Sequence, residues 1–233
     1  MRNRLTPSRD ARSGLTLLLG MVVLMWIVEA VNAVDHRGLS NEAGIWPRNL
    51  DHMWAIFTAP FLHENFYPHL FDNTIPLVFM GVIIALRGAR RLALVTLIVI
   101  VVSGIGTWLI SPSASDTFGA SGLVFGYATY LLARGIFNRN LLEIGVGLVV
   151  GVVWGGVLVA SVVPHAGVSW QDHVCGGVGG VIAAWLLSAP RGRAPRGTGS
   201  HGRREPRSGS ERVPAQPVGG RDLHAALDRV LDH

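Results

Sequence analysis

Phe118-Gly119-Ala120-Ser121-Gly122-Leu123-Val124-Phe125-Gly126 is the stretch around which the rest of the chain is organised. It sets a lone serine among small residues at the mouth of an apolar run that continues to Leu132. Polar side chains inside hydrocarbon are rare and are usually tied to a partner or to function. Gly122 and Gly126 are four residues apart, so a helix presents both on one face and lets another backbone come close.

Composition says what kind of chain surrounds that serine. Hydrophobic residues make up 49% of the 233 residues and charged ones only 15%, with a mean hydropathy of +0.39. That balance is wrong for an ordinary soluble domain and suits a membrane-embedded one. The formal charge of +5 comes from arginine alone, because lysine is absent, and this hints at a GC-rich bacterial genome. The single cysteine, Cys175, excludes an intrachain disulfide framework and a cysteine-rich metal site, and its glycine neighbours make it a small packing residue.

Six apolar segments follow one another at 14–34, 69–86, 92–110, 118–136, 142–163 and 171–189. Each is close to the roughly 20 residues that a spanning helix needs. The first is too long, and lacks a small-residue cleavage site, for a removable signal peptide. Glu29 and Asn32 interrupt its far end, where interfacial water is the favoured explanation. Residues 35–68 are too aromatic for a disordered linker and too broken for a span. They read as a loop domain anchored partly in the membrane by Trp46, Trp54, Phe57, Phe61 and Phe66.

Arginine placement orients the segments. With a cytoplasmic N-terminus, the inside segments are 1–13, 87–91, 134–141 and the tail after 189, and they hold every arginine except Arg37 and Arg48. Both termini are therefore expected to be cytoplasmic, in a bacterial inner membrane. The tail, 190–233, is rich in Arg, Gly, Pro and Ser and is expected to be largely disordered, with a short helix possible over 221–231. Its arginines suit anionic lipid better than nucleic acid, since it has no aromatic residue to stack on bases.

The same topology brings distant polar groups to one depth. His69 and Asn73, Ser121, and His173 all lie near the outer ends of segments that enter from outside. A serine hydroxyl needs a base to become a nucleophile, and histidine is the usual one. His173 opens a run in which Gly176 and Gly180 repeat the spacing of Gly122 and Gly126, so two glycine seams could bring the helices together. His69 and Asn73, four apart, share a helical face and can both donate to an oxygen that gains charge. Each group has a blander explanation. Membrane serines such as Ser103 and Ser161 commonly bond back to a carbonyl one turn earlier. Histidines at helix ends are often only hydrated, and glycine seams often only pack. Their meeting at one depth is what favours chemistry.

Gly-Ala-Ser-Gly opening the fourth of six segments, with His-x-x-Gly-x-x-x-Gly in the sixth, resembles the rhomboid intramembrane serine proteases. His63 to Asn73 resembles that family's histidine–histidine–asparagine stretch, and Trp46-Pro47-Arg48 its first-loop region. The resemblance covers roughly 14–189. It implies an all-α membrane protein, a six-span rhomboid-like bundle with a partly inserted first loop, flanked by a cytoplasmic 1–13 and the basic tail.

It further implies that Ser121 is the nucleophile and His173 the general base, a dyad without an acidic third member. Asp172, next in sequence to His173 but about 100° around the helix, is not enlisted. Asn73 and His69 would line the oxyanion site with the Ser121 backbone N–H. Gly119 and Gly122 would shape the turn, Phe125 would pack on the histidine ring, and Gly126, Gly176 and Gly180 would close the helix contact. One departure stands out. Five residues separate His63 from His69 where the family usually has four, with Pro68 in the region of the extra residue. The implied reaction is hydrolysis of a peptide bond in or beside a transmembrane segment of another protein, with the lipid bilayer as the other partner and no metal or cofactor. The rival reading is a catalytically silent rhomboid-like protein that binds transmembrane clients.

Overall fold

The computed structural model describes residues 8–164 and 167–188. The expectations for the tail and for the first seven residues lie outside them. Among the described residues the chain is all helical, without a strand. Six long helices form the frame: α1 (Arg9–Val34), α4 (Phe71–Ala85), α5 (Ala89–Ile110), α6 (Ser121–Asn138), α7 (Leu141–Ser161) and α8 (Trp170–Leu186). Two short ones, α2 (Gly38–Ala43) and α3 (Ala55–Thr58), lie in the first loop.

α1 shows how composition and packing divide a membrane helix. Its buried residues are Ala11, Gly14, Leu18, Met21, Met25, Glu29 and Asn32, a stripe with successive members three or four residues apart. Leu19, Val23, Ile27 and Val31 on the other side are exposed and equally apolar. A helix apolar all round has no water-facing side, so its outer face suits lipid. Ser8 extends the helix beyond the expected start at 14, its Oγ accepting from the Ala11 N–H at 3.1 Å. α7 is the extreme case, with only Gly147 and Val150 buried.

Four helical segments are long and apolar enough to cross a membrane: Arg9–Val34, Phe66–Ala85, Ala89–Ile110 and Leu141–Ser161. α6 and α8 are not among them: α8 has only 17 residues, and both are rich in small and polar ones. The other helices cover much of their surface, so small and polar residues replace the aliphatic ones that a lipid-facing helix carries. Buried Arg134 in α6 is one such residue, 2.9 Å from the Tyr130 hydroxyl and 3.2 Å from Glu143. The core between helices is built from Leu77, Met80, Ile84, Leu92, Val95, Val99, Leu123 and Tyr127.

Glu29 and Asn32 correct the interfacial expectation: both are fully buried. Asn32 Nδ2 donates to Ser40 Oγ at 2.6 Å and to the His63 carbonyl at 3.0 Å, while Arg37 pairs with Glu29 at 2.5 Å. The first loop folds over these groups and supplies their hydrogen-bonding and ionic partners. The loop is held again at its far side, where Ile45 and Thr117 exchange backbone hydrogen bonds of 2.8 and 3.1 Å.

Candidate active site

The first loop ends in a buried histidine. His63 is fully buried and its Nε2 accepts from the Ala120 N–H at 3.4 Å, which leaves the proton on Nδ1. Burial pushes its pKa down to about 3, the nearby His69 adds to the drop, and the Phe61 backbone opposes it. The extra residue before His69 is absorbed in the wide turn Phe66–Leu70, where Tyr67 takes an extended conformation (φ −135°, ψ 129°). Asn65 closes that turn by accepting from the His69 N–H at 2.9 Å. The two histidine rings consequently meet edge to face, 5.1 Å apart.

His69 Nδ1 accepts from the Glu64 N–H at 3.1 Å, so its Nε2 carries the proton and is a donor. Asn73 follows one turn later, nearly buried, with Nδ2 donating to the His69 carbonyl at 2.9 Å. What the His69 donor faces is shown by Gly119. A Cβ on Gly119 would stand 2.9 Å from His69 Nε2 and 3.8 Å from Ser121 Oγ, so the glycine keeps clear a space bordered by both. Its φ of +129° also lies where other residues are strained. The N–H of Gly119 is fixed on the Ala59 carbonyl at 2.9 Å. α6 then begins at Ser121, three residues inside the apolar segment, which puts the hydroxyl at a helix N-terminus. The first backbone N–H groups there lack partners within the helix.

α8 meets α6 glycine to glycine. A Cβ on Gly176 would fall 2.3 Å from the Gly122 carbonyl oxygen, and one on Gly180 2.0 Å from that of Gly126. The two seams read from the sequence are thus each other's partners. Phe125, one turn beyond Ser121, lies flat on the His173 ring at 4.4 Å between centroids and 8° between planes. His173 Nδ1 is 2.8 Å from the Ser161 carbonyl at the end of α7. A carbonyl can only accept, so Nδ1 holds the proton and Nε2 keeps its lone pair. Ser161 itself returns its hydroxyl to the Val157 carbonyl at 2.8 Å, as expected for a membrane serine.

Asp172 is the residue that sequence reasoning set aside and the structure puts in contact with the serine. Its buried carboxylate accepts from Ser121 Oγ at 3.4 Å, from Ser103 Oγ, and from Thr107 Oγ1 at 3.5 Å. The turn of about 100° from His173 carries Asp172 toward α5 and α6, because α8 packs against both. Gly122 makes the room: a Cβ there would lie 2.6 Å from each carboxylate oxygen. Ser103 accordingly departs from the simple back-bonding expected of it. A polar residue in the middle of α5 was the available signal, but its partner lies 69 residues away.

An open cleft of about 630 Å³, lined by Glu64, His69, Asp116, Phe118, Ser169 and Gln171 among others, reaches this region at His69. A family model for the Rhomboid domain matches residues 50–190, which include His63, His69, Asn73, Ser121, Asp172 and His173. The chain belongs to the rhomboid family. This rhomboid protein is 41% identical over 189 residues to uncharacterized proteins of Mycobacterium bovis and Mycobacterium tuberculosis, with 78% of each chain covered. It is 42% identical over 186 residues to one of Mycobacterium leprae, covering 76% of this chain and 72% of that one. Family membership together with the apolar helices makes it a multi-pass membrane protein.

Proposed function

We propose that this rhomboid is an intramembrane serine endopeptidase, with Ser121 as nucleophile and His173 as general base. The observation that carries the reading is the state of His173. Its Nδ1 is committed to the Ser161 carbonyl and its ring is pinned by Phe125, leaving a basic Nε2 on a helix that packs directly against the start of α6. In the proposed reaction Nε2 takes the Ser121 proton as Oγ attacks a peptide carbonyl. The carbonyl oxygen occupies the space kept open at Gly119, where His69 Nε2–H, the Ser121 N–H and Asn73 bear on the developing charge. Nε2 then protonates the leaving amine, and water entering through the cleft releases the acyl group.

The substrate is a transmembrane segment that must unwind locally, since a helix hides its peptide carbonyls in hydrogen bonds. We further propose six crossings, α6 and α8 being the two central ones, with both termini on the cytoplasmic side of a bacterial inner membrane. The arginine distribution supports that orientation. The test is cleavage of a model transmembrane substrate in detergent by wild type, Ser121→Ala and His173→Ala, with fluorophosphonate labelling alongside. Cleavage and labelling by wild type alone are expected. Equal cleavage by all three refutes the dyad, and client binding without cleavage by any of them identifies a silent rhomboid-like protein.

A further inference from the structure

The dyad leaves one buried polar group unused. Asp172 lies outside the three ion pairs among the described residues, which join Arg37 to Glu29 and Arg87 and Arg134 to Glu143. A buried carboxylate is costly unless hydrogen bonds compensate it. Here Ser103 and Thr107 from α5 and the Gly122 backbone from α6 hold it, and the remaining donor is the Ser121 hydroxyl. A side chain needed only for packing could be satisfied by α5 alone, without Gly122 clearing a path to the serine.

We infer that Asp172 is a positioning residue for the reaction, holding Ser121 Oγ in one rotamer and setting a fixed negative charge beside the imidazolium that forms on His173. The inference rests on the dyad reading of the preceding subsection. In the resting site the hydroxyl points to Asp172 Oδ2. When substrate enters, the O–H bond swings to His173 Nε2 and the proton moves there, while Asp172 stays a carboxylate held by Ser103, Thr107 and the Gly122 N–H. The charge is needed because the Nδ1 side of His173, where a carboxylate could stand, is occupied by the neutral Ser161 carbonyl. Asp172 and His69 are both in electrostatic contact with His173, and of these two only Asp172 can bring a negative charge.

Asp172→Asn keeps the shape, removes the charge and can turn a donor toward Ser121 Oγ. Hydrogen bonds to charged groups account for roughly a 10–100-fold effect, so kcat and the fluorophosphonate labelling rate are both expected to fall by that factor. KM for a transmembrane substrate should stay within about twofold, because Asp172 does not line the cleft, and the thermal midpoint in detergent should hold. Labelling and kcat within about threefold of wild type overturn the inference, as does a loss that appears in KM alone. If Asp172→Asn fails to fold, Ser103→Ala decides. It keeps the charge but frees Oδ1, and labelling must slow by about threefold or more for the inference to stand. Ser121→Ala and His173→Ala separate the two levels. If both cleave like wild type the dyad itself is wrong, whereas if both are dead and Asp172→Asn is normal only the positioning role is lost.

Discussion

Replacing Gly180 by alanine tests what sets the distance between the serine and histidine helices. A Cβ there would stand 2.0 Å from the Gly126 carbonyl oxygen, where ordinary contact begins at 3.4 Å, so the backbones must part by about 1.4 Å. For Gly176 and the Gly122 carbonyl the starting distance is 2.3 Å and the required separation about 1.1 Å. Backbone cannot step aside as a side-chain tip can, so α8 has to move as a body. Overpacking of this kind costs about 1–3 kcal/mol, set against about 1 kcal/mol gained from the better helix propensity of alanine. The cost to chemistry is larger, since a misplacement of about 1 Å can lower a rate roughly 100-fold. Gly177 provides the control on the same helix, where an added Cβ finds Thr129 Cγ2 at an ordinary 3.5 Å. Each variant would be purified in detergent and its kcat and thermal midpoint measured. The expected pattern is a fall of about 100-fold for Gly176→Ala and Gly180→Ala, with Gly177→Ala near wild type. If all three behave alike, the glycine contact does not set the spacing and the reasoning is wrong.

Three further outcomes follow from the site and its supports. His69→Ala should lower kcat roughly 100–1,000-fold with little change in KM, as expected of a donor that acts on developing charge, and steady-state kinetics on a transmembrane substrate will read it. His63 has a folded pKa of about 3 against an ordinary 6.5, so the unfolded chain binds the extra proton between those values. Stability is therefore complete above pH 6.5, falls as the pH drops and levels off near 3, with about 2 kcal/mol lost by pH 5. Unfolding midpoints across that range should show the slope in wild type and lose it in His63→Gln. Asn32→Ala deletes the donor to Ser40 and the His63 carbonyl in a fully buried site, and should cost about 2–3 kcal/mol in thermal unfolding while leaving Ser121 labelled.

Much of this architecture was legible in the chain itself. The apolar runs coincide with the long helices to within a few residues at most ends, because hydropathy and length are local properties that need no partner to be read. The glycine pairs at 122 and 126 and at 176 and 180 announced close packing, since only a missing side chain allows it. The serine and histidine at the heads of two such helices were visible for the same reason, and the family match covers both.

Partnerships of polar groups were not legible, because each is decided by residues distant in sequence. Glu29 and Asn32 looked like residues facing water until the first loop folded over them with Arg37, Ser40 and the His63 backbone. The extra residue between His63 and His69 looked like a break in the pattern until the turn at Tyr67 absorbed it and returned the two rings to contact. Asp172 looked misdirected because a helical wheel shows where a side chain points but not which neighbours stand there. Sequence alone determined that a serine and a histidine head two closely packing helices. Tertiary structure decided that a buried carboxylate reaches the serine too, since only packing could bring Ser103, Gly122 and Asp172 to one point.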